Sequence, residues 1–134
     1  MTATKTAVEI VQDLYAAFGR GDIAYILDHI TPDCEWVAPG AAIPTAGTYK
    51  GPAGAAEFFQ RLGATEQITQ FEPRDFFSNA AGDVVALGNE ACTTVTTGKQ
   101  VATEWAMVFR IRDGKVAAWR SYYDTEAYAN AHRK

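Results

Sequence analysis

Residues 101–124, VATEWAMVFRIRDGKVAAWRSYYD, decide the fold. The pattern has a period of two on both sides of Arg112-Asp113-Gly114, as expected of two half-buried strands joined by a tight turn. Strands are therefore expected over 101–111 and 115–123. Working outward, Thr97-Gly98-Lys99 separates this hairpin from a strand over 84–95. The segment 79–83 separates that one from a strand over 71–78. Every separator is short enough for a hairpin, so the four strands are expected to form an antiparallel meander.

Toward the N-terminus the period lengthens. Val8, Val11, Leu14, Tyr15 and Phe18 recur at spacings of three and four, which predicts a helix from about Thr6 that Gly19 and Gly21 end. Asp22 is a good N-cap for a second, short helix carrying Ile23, Ile26, Leu27 and Ile30 inward until Pro32. A short extended segment is expected over 34–38, then a long loop over 39–51 at a pocket mouth. Pro52 suits the first turn of a third helix, which Gly63 is expected to stop. Thr125 can cap a final helical turn through His132.

A chain of 134 residues with 48% apolar and 21% charged side chains has the size and composition of one domain with one core. One domain over 1–134 is expected. No apolar run approaches the roughly 20 residues of a membrane span. The stretch MTATKTAVEIVQDLYAAF is interrupted by Glu9 and Asp13, unlike a secretory signal, so a cytoplasmic location is expected. A net charge of −4 offers no basic stripe for nucleic acid. Cys34 and Cys92 lack metal or redox spacing and read as buried reduced thiols. His29 and His132 are isolated, the latter in a tail of the kind that frays, so no metal site is expected.

The segments VQDLYAAFGRGDIAYILDHITPDCEWVAPG (11–40), GTYKGPAGAAEFF (47–59) and FRIRDGKVAAWRSYYD (109–124) together resemble the ketosteroid isomerase-related, SnoaL-like branch of the nuclear transport factor 2-like superfamily. That resemblance implies an α+β, cone-shaped domain in which three N-terminal helices pack on a strongly curved antiparallel sheet enclosing a pocket. It also implies a homodimer and a small hydrophobic ligand, with no cofactor required. The superfamily hosts enzymes, binding proteins and scaffolds, so the fold alone leaves the activity open.

Residue by residue, the resemblance selects among chemistries. Steroid isomerases of this shape use a carboxylate base with a Tyr and a protonated Asp. Here Ala38, Leu14 and Met107 fall at those positions, with Tyr15 adjacent to Leu14, so that mechanism is not expected. Relatives of the limonene epoxide hydrolase type use an Arg and two Asp residues. Asp124 and Glu90 match the two acids in kind, while Gly88 stands in place of the Arg, and Trp36 and Ala38 replace polar water-positioning residues. Asp124 also matches the acid or base of SnoaL-like polyketide cyclases. The resemblance favours Asp124 facing the pocket.

The resulting candidates are Asp124, Glu90 and Arg120 for acid–base catalysis, and Trp36, Trp105, Met107, Tyr122, Tyr15 and Phe59 for ligand contact. Two carboxyls held close in a poorly hydrated pocket share a proton, which supplies an acid and a base together. Cyclase, isomerase and epoxide-hydrolase chemistry all remain open. So do plainer roles: Asp124 as a helix cap, Glu90 with Arg120 as a cross-strand ion pair, and the aromatic residues as core filling. Asp33, after Thr31-Pro32, reads as a turn former, and His29 as a helix-terminal residue. A non-catalytic ligand-binding or dimerisation domain is the alternative function.

Overall fold

A computed structural model describes residues 4–134. Residues 1–3, included in the N-terminal reading above, lie outside the described residues. The first helix, α1 (Ala7–Gly19), begins where Thr6 and Glu9 satisfy each other. The Thr6 hydroxyl accepts from the Glu9 amide at 3.1 Å, and the Glu9 carboxylate accepts from the Thr6 amide at 2.9 Å. Val11, Leu14 and Ala17 form its buried stripe. Asp22 caps α2 (Ile23–Asp28) through the Tyr25 amide at 3.1 Å.

The second helix stops earlier than Pro32. Strand β1 (Ile30–Ala38) starts at Ile30 rather than at residue 34. Pro32 disfavours helical backbone at Thr31, and Ile30 is claimed by the sheet, where it lies opposite Val116. A register shift between Ile30 and Glu35 accommodates the missing Pro32 amide proton. The expected loop over 39–51 also contains a strand, β2 (Gly47–Lys50), paired antiparallel with β1. Its anchor is Tyr49, which is buried and donates its hydroxyl proton to the Thr45 carbonyl at 2.8 Å.

Pro52 lies in the first turn of α3 (Gly51–Thr65), as expected, but the helix continues through Gly63 to Thr65. It ends because Glu66 is already extended and paired with Thr94 in β3 (Glu66–Ser78). Then follow β4 (Asp83–Thr94), β5 (Gln100–Arg112), β6 (Lys115–Tyr123) and a full helix, α4 (Thr125–His132).

The sheet order is β2-β1-β6-β5-β4-β3. The β3–β6 meander is antiparallel as expected, but β1 runs parallel to β6, so the sheet is mixed. Its ends, β2 and β3, do not pair with each other, so it is curved without being closed. Bulges at Thr69 and Arg74 in β3 and at Ala117 in β6 supply bends. Core residues Val84, Ala86, Trp105, Phe109, Val116 and Trp119 come from one face of the sheet and pack with the buried stripe of α1.

Gly88 is where the core comes closest to the backbone. A Cβ there would lie 2.3 Å from the Glu72 carbonyl oxygen and 2.4 Å from the Trp105 ring. Trp105 has little room to yield, because it stacks on Tyr15 and Phe71 with centroids 5.6 and 5.1 Å away. Gly88→Ala is expected to lower the unfolding free energy by about 1–3 kcal/mol in urea titrations. A loss within about 0.5 kcal/mol, the range of an indifferent surface change, would contradict this packing.

Candidate functional site

Between the core face of the sheet and the helices lies a cavity of about 100 Å³. Its walls are largely aromatic. Tyr15 and Phe18 come from α1, Phe58 and Phe59 from α3, Trp36 from β1 and Trp119 from β6. Trp36 stacks on Trp119 at 4.3 Å. The Trp36 indole N–H is buried without an acceptor among the described residues. Tyr15 donates its hydroxyl proton to the Met107 sulfur at 3.1 Å, and burial holds that phenol well above its ordinary pKa.

Two carboxyl groups also line this cavity, Glu66 and Glu90. Glu90 Oε2 accepts from the Tyr128 hydroxyl at 3.0 Å and from the Cys92 thiol at 3.1 Å. Glu66, 7% exposed, has its Oε1 3.2 Å from Nε2 of His132. Burial raises the Glu66 pKa above the usual carboxylate value. The hydrogen bond from His132 opposes that effect, and the charge of Glu90 adds to it. Tyr128 and Cys92 are raised chiefly by burial and then by Glu90, and Tyr123 by burial and then by Glu66. This side of the cavity is therefore polar and weakly hydrated.

A raised carboxyl pKa has a definite stability signature. Folded Glu66 keeps its proton at pH values where the unfolded chain, near 4.5, has released it. The folded state then binds more protons than the unfolded state, so this contribution is fully present below 4.5 and is lost as pH rises through the folded value. Asp33 and Asp83, whose pKa values are lowered by hydrogen bonds, act in the opposite sense as pH falls. Urea titrations across pH are expected to show the upper, Glu66-dependent decline in the wild type and its absence in Glu66→Gln. Parallel profiles would contradict the assignment.

The candidate residues are only partly brought together. Glu90, Trp36, Met107, Tyr15 and Phe59 line the cavity. Trp105 is buried behind the wall, under Gly88. Along β6 it is Trp119, Ser121 and Tyr123 that face the cavity, so Arg120 and the half-exposed Tyr122 point to the opposite face. Asp124 does not face the cavity. It is exposed at the start of α4, where its carboxylate accepts from the Ala127 amide at 3.0 Å. The cap reading of Asp124 accounts for that geometry, and the hydrogen bonds of Glu90 go to Tyr128 and Cys92 rather than to Arg120.

The acid that does accompany Glu90 is Glu66, which the sequence reading passed over together with His132 and Tyr128. Glu66 follows α3 without a break, so no turn marked the start of β3. His132 sits in a buried pair rather than a frayed tail, because the Ala131 carbonyl accepts from Thr97 at 2.6 Å and pins the last turn. His29 does end its helix, with Nδ1 2.7 Å from the Tyr25 carbonyl. Asp33 lies in β1 and pairs with Thr31 and Arg112 at the surface. Cys34 and Cys92 are buried free thiols, the former pushed up to about 11 by burial. Among the described residues, no cluster of three potential metal ligands occurs, and no helix is long and apolar enough to cross a membrane.

This architecture has many solved counterparts. An NTF2-like protein from Burkholderia xenovorans LB400 is 32% identical, with 99% of this chain and all of that one covered and a TM-score of 0.86. One from Burkholderia thailandensis E264 is 30% identical, with 98% and 100% covered and a TM-score of 0.89. TerC, co-crystallised with polyporic acid, is 28% identical over 93% of this chain and 96% of its own, with a TM-score of 0.82. No curated protein matches the chain. The profile of the SnoaL-like domain matches residues 11–119, and the chain belongs to that family within the NTF2-like superfamily.

Proposed function

We propose that the chain is a small-molecule enzyme that moves a proton next to a carbonyl of an uncharged, hydrophobic substrate, with Glu90 as base and Glu66 as acid. The observation that carries this reading is the presence of two carboxyls in one aromatic cavity whose lining includes no Lys or Arg. Such a wall suits neutral aromatic or polycyclic molecules and repels carboxylates and phosphates. A ketone is the simplest substrate. Glu90 takes a proton from the α-carbon, the C–H electrons form the C=C bond, and the carbonyl π electrons move onto oxygen. The Glu66 O–H then gives its proton to that oxygen, producing an enol, with Glu90 protonated and Glu66 ionised. Where the ketone is β,γ-unsaturated, return of a proton from Glu90 to the γ-carbon of the dienol, with the O–H proton going back to Glu66, gives the conjugated isomer, and attack of the enol carbon on a second carbonyl gives a ring.

The co-crystal of TerC with polyporic acid makes small organic ligands the natural first probes. Incubating the protein with uncharged aryl ketones, beginning with 1-tetralone, in D₂O is expected to speed deuteration at the α-carbon above the buffer rate, read by NMR. Buffer-rate exchange for all members of such a panel would overturn the reading.

A second feature supports assembly. Leu87, Ala106 and Tyr122 lie side by side across β4, β5 and β6, flanked by a row of Phe77, Val85 and Val108. Phe77 is 58% exposed and Tyr122 50%. This apolar patch, on the sheet face opposite the cavity and bordered on β6 by Arg120, fits a second copy of the chain around a twofold axis. Sedimentation is expected to give a dimer that Leu87→Lys and Tyr122→Lys together dissociate, and a monomeric wild type would contradict it.

A further inference from the structure

The acid in the cavity wall has a partner outside it. We propose that His132, at the end of α4, is a positioning residue that governs whether Glu66 holds its proton, sharing that proton across their hydrogen bond while the cavity holds no substrate. The inference rests on the reading of Glu66 as the acid of the cavity. His132 is not part of the cavity lining, yet its Nε2 is 3.2 Å from Glu66 Oε1, with the two side chains only 8% and 4% exposed. Two arrangements satisfy that contact. In one, the carboxylic acid O–H donates to a neutral imidazole. In the other, an imidazolium N–H donates to a carboxylate. One proton crosses one hydrogen bond, and the charge of the pair does not change. Burial penalises the separated charges while their attraction favours them, so the groups around the pair set the balance between the two arrangements.

The remaining groups around the pair bias that competition. Glu90 and Cys92 face it from β4, Tyr123 from β6, and Tyr128 from α4 itself. Beyond His132, the Arg133 carbonyl accepts from Lys99 at 2.6 Å, which ties the chain after α4 to the β4–β5 turn. With Tyr128 hydrogen-bonded to Glu90 and His132 to Glu66, α4 reaches both cavity carboxyls from one side. The negative charge of Glu90 favours a proton on Glu66, whereas His132, through its hydrogen bond and its charge, favours ionised Glu66. The helix thus supplies the basic group that balances the acid.

The test needs no substrate. In protein labelled with ¹³C at glutamate carboxyls, the Glu66 signal is identified by its loss in Glu66→Gln and followed across pH in wild type, His132→Gln and His132→Phe. The Glu66 midpoint is expected to shift upward in His132→Phe, which removes both the hydrogen bond and the charge. In His132→Gln, which keeps a donor without the charge, it is expected to lie between that value and the wild type. In the deuteration assay the acid-dependent limb of the pH profile shifts the same way. An unchanged midpoint in folded His132→Phe overturns the proposal, and an unchanged midpoint in His132→Gln does so if the Phe variant fails to fold. Conversely, if the midpoint moves while Glu66→Gln and Glu90→Gln leave exchange at the wild-type rate, the role of His132 as partner stands and the active-site reading falls.

Discussion

Glu90→Gln is expected to reduce protein-catalysed α-deuteration by about 10²–10⁴-fold, the usual contribution of a positioned acid or base. Gln keeps the size of the side chain and an oxygen that can accept from Tyr128 and Cys92, so the fold is expected to persist. What is lost is the carboxylate that takes the α-proton. Asp124→Asn provides the contrast. Asn is as good an N-cap as Asp, and Asp124 lies on the surface at the head of α4, so this variant is expected to retain both stability and exchange rate. Equal large losses in both variants would return Asp124 to the chemistry. A Glu90→Gln protein with undiminished exchange would remove Glu90 from it.

Trp36→Ala is expected to lower the unfolding free energy by about 3–5 kcal/mol, a large share of the roughly 5–15 kcal/mol that holds a domain of this size. Trp36 stacks on Trp119 at 4.3 Å and meets Phe58 and Phe59 at 6.0 and 5.7 Å, so it ties β1 and β6 to α3. Its removal would also enlarge a cavity that already exists, with little prospect of collapse around it. A fall in melting temperature on the order of 10–20 °C should accompany the loss. Trp36→Phe is expected to cost much less, because it retains aromatic contact and removes an indole N–H that is buried without an acceptor. A loss below about 1 kcal/mol in Trp36→Ala would show that the aromatic wall does not depend on this residue.

Much of the architecture is local, and for that reason it was legible. The helix start near Thr6, the Asp22 cap, the Pro52 helix start and the Gly114 turn each depend on residues within a few positions of themselves. The β3–β6 meander follows from short separators and a period of two, which require no knowledge of distant segments. The parallel pairing of β1 with β6 joins segments that are far apart in the chain, and the short strand β2 exists because β1 pairs with it. Neither leaves a periodic trace.

The candidate site divides in the same way. Composition and patterning pointed to an apolar interior rich in aromatic residues, and the family resemblance brought Glu90 forward as a candidate without settling which face it takes. Which of the two alternating sets on β6 faces inward was decided by tertiary pairing, since a strand offers both faces and a one-residue change of register exchanges them. That choice turned Trp119, Ser121 and Tyr123 toward the cavity and Arg120 away from it. Glu66 and His132 are 66 residues apart in sequence, and neither has a motif that announces the other. They meet because the end of α3 enters the sheet without a turn and α4 folds back over β4. The elements and the chemical character of the interior follow from interactions that span a few residues and are therefore written along the chain. Which acids share the cavity depends on contacts between distant segments, whose closeness no local pattern encodes.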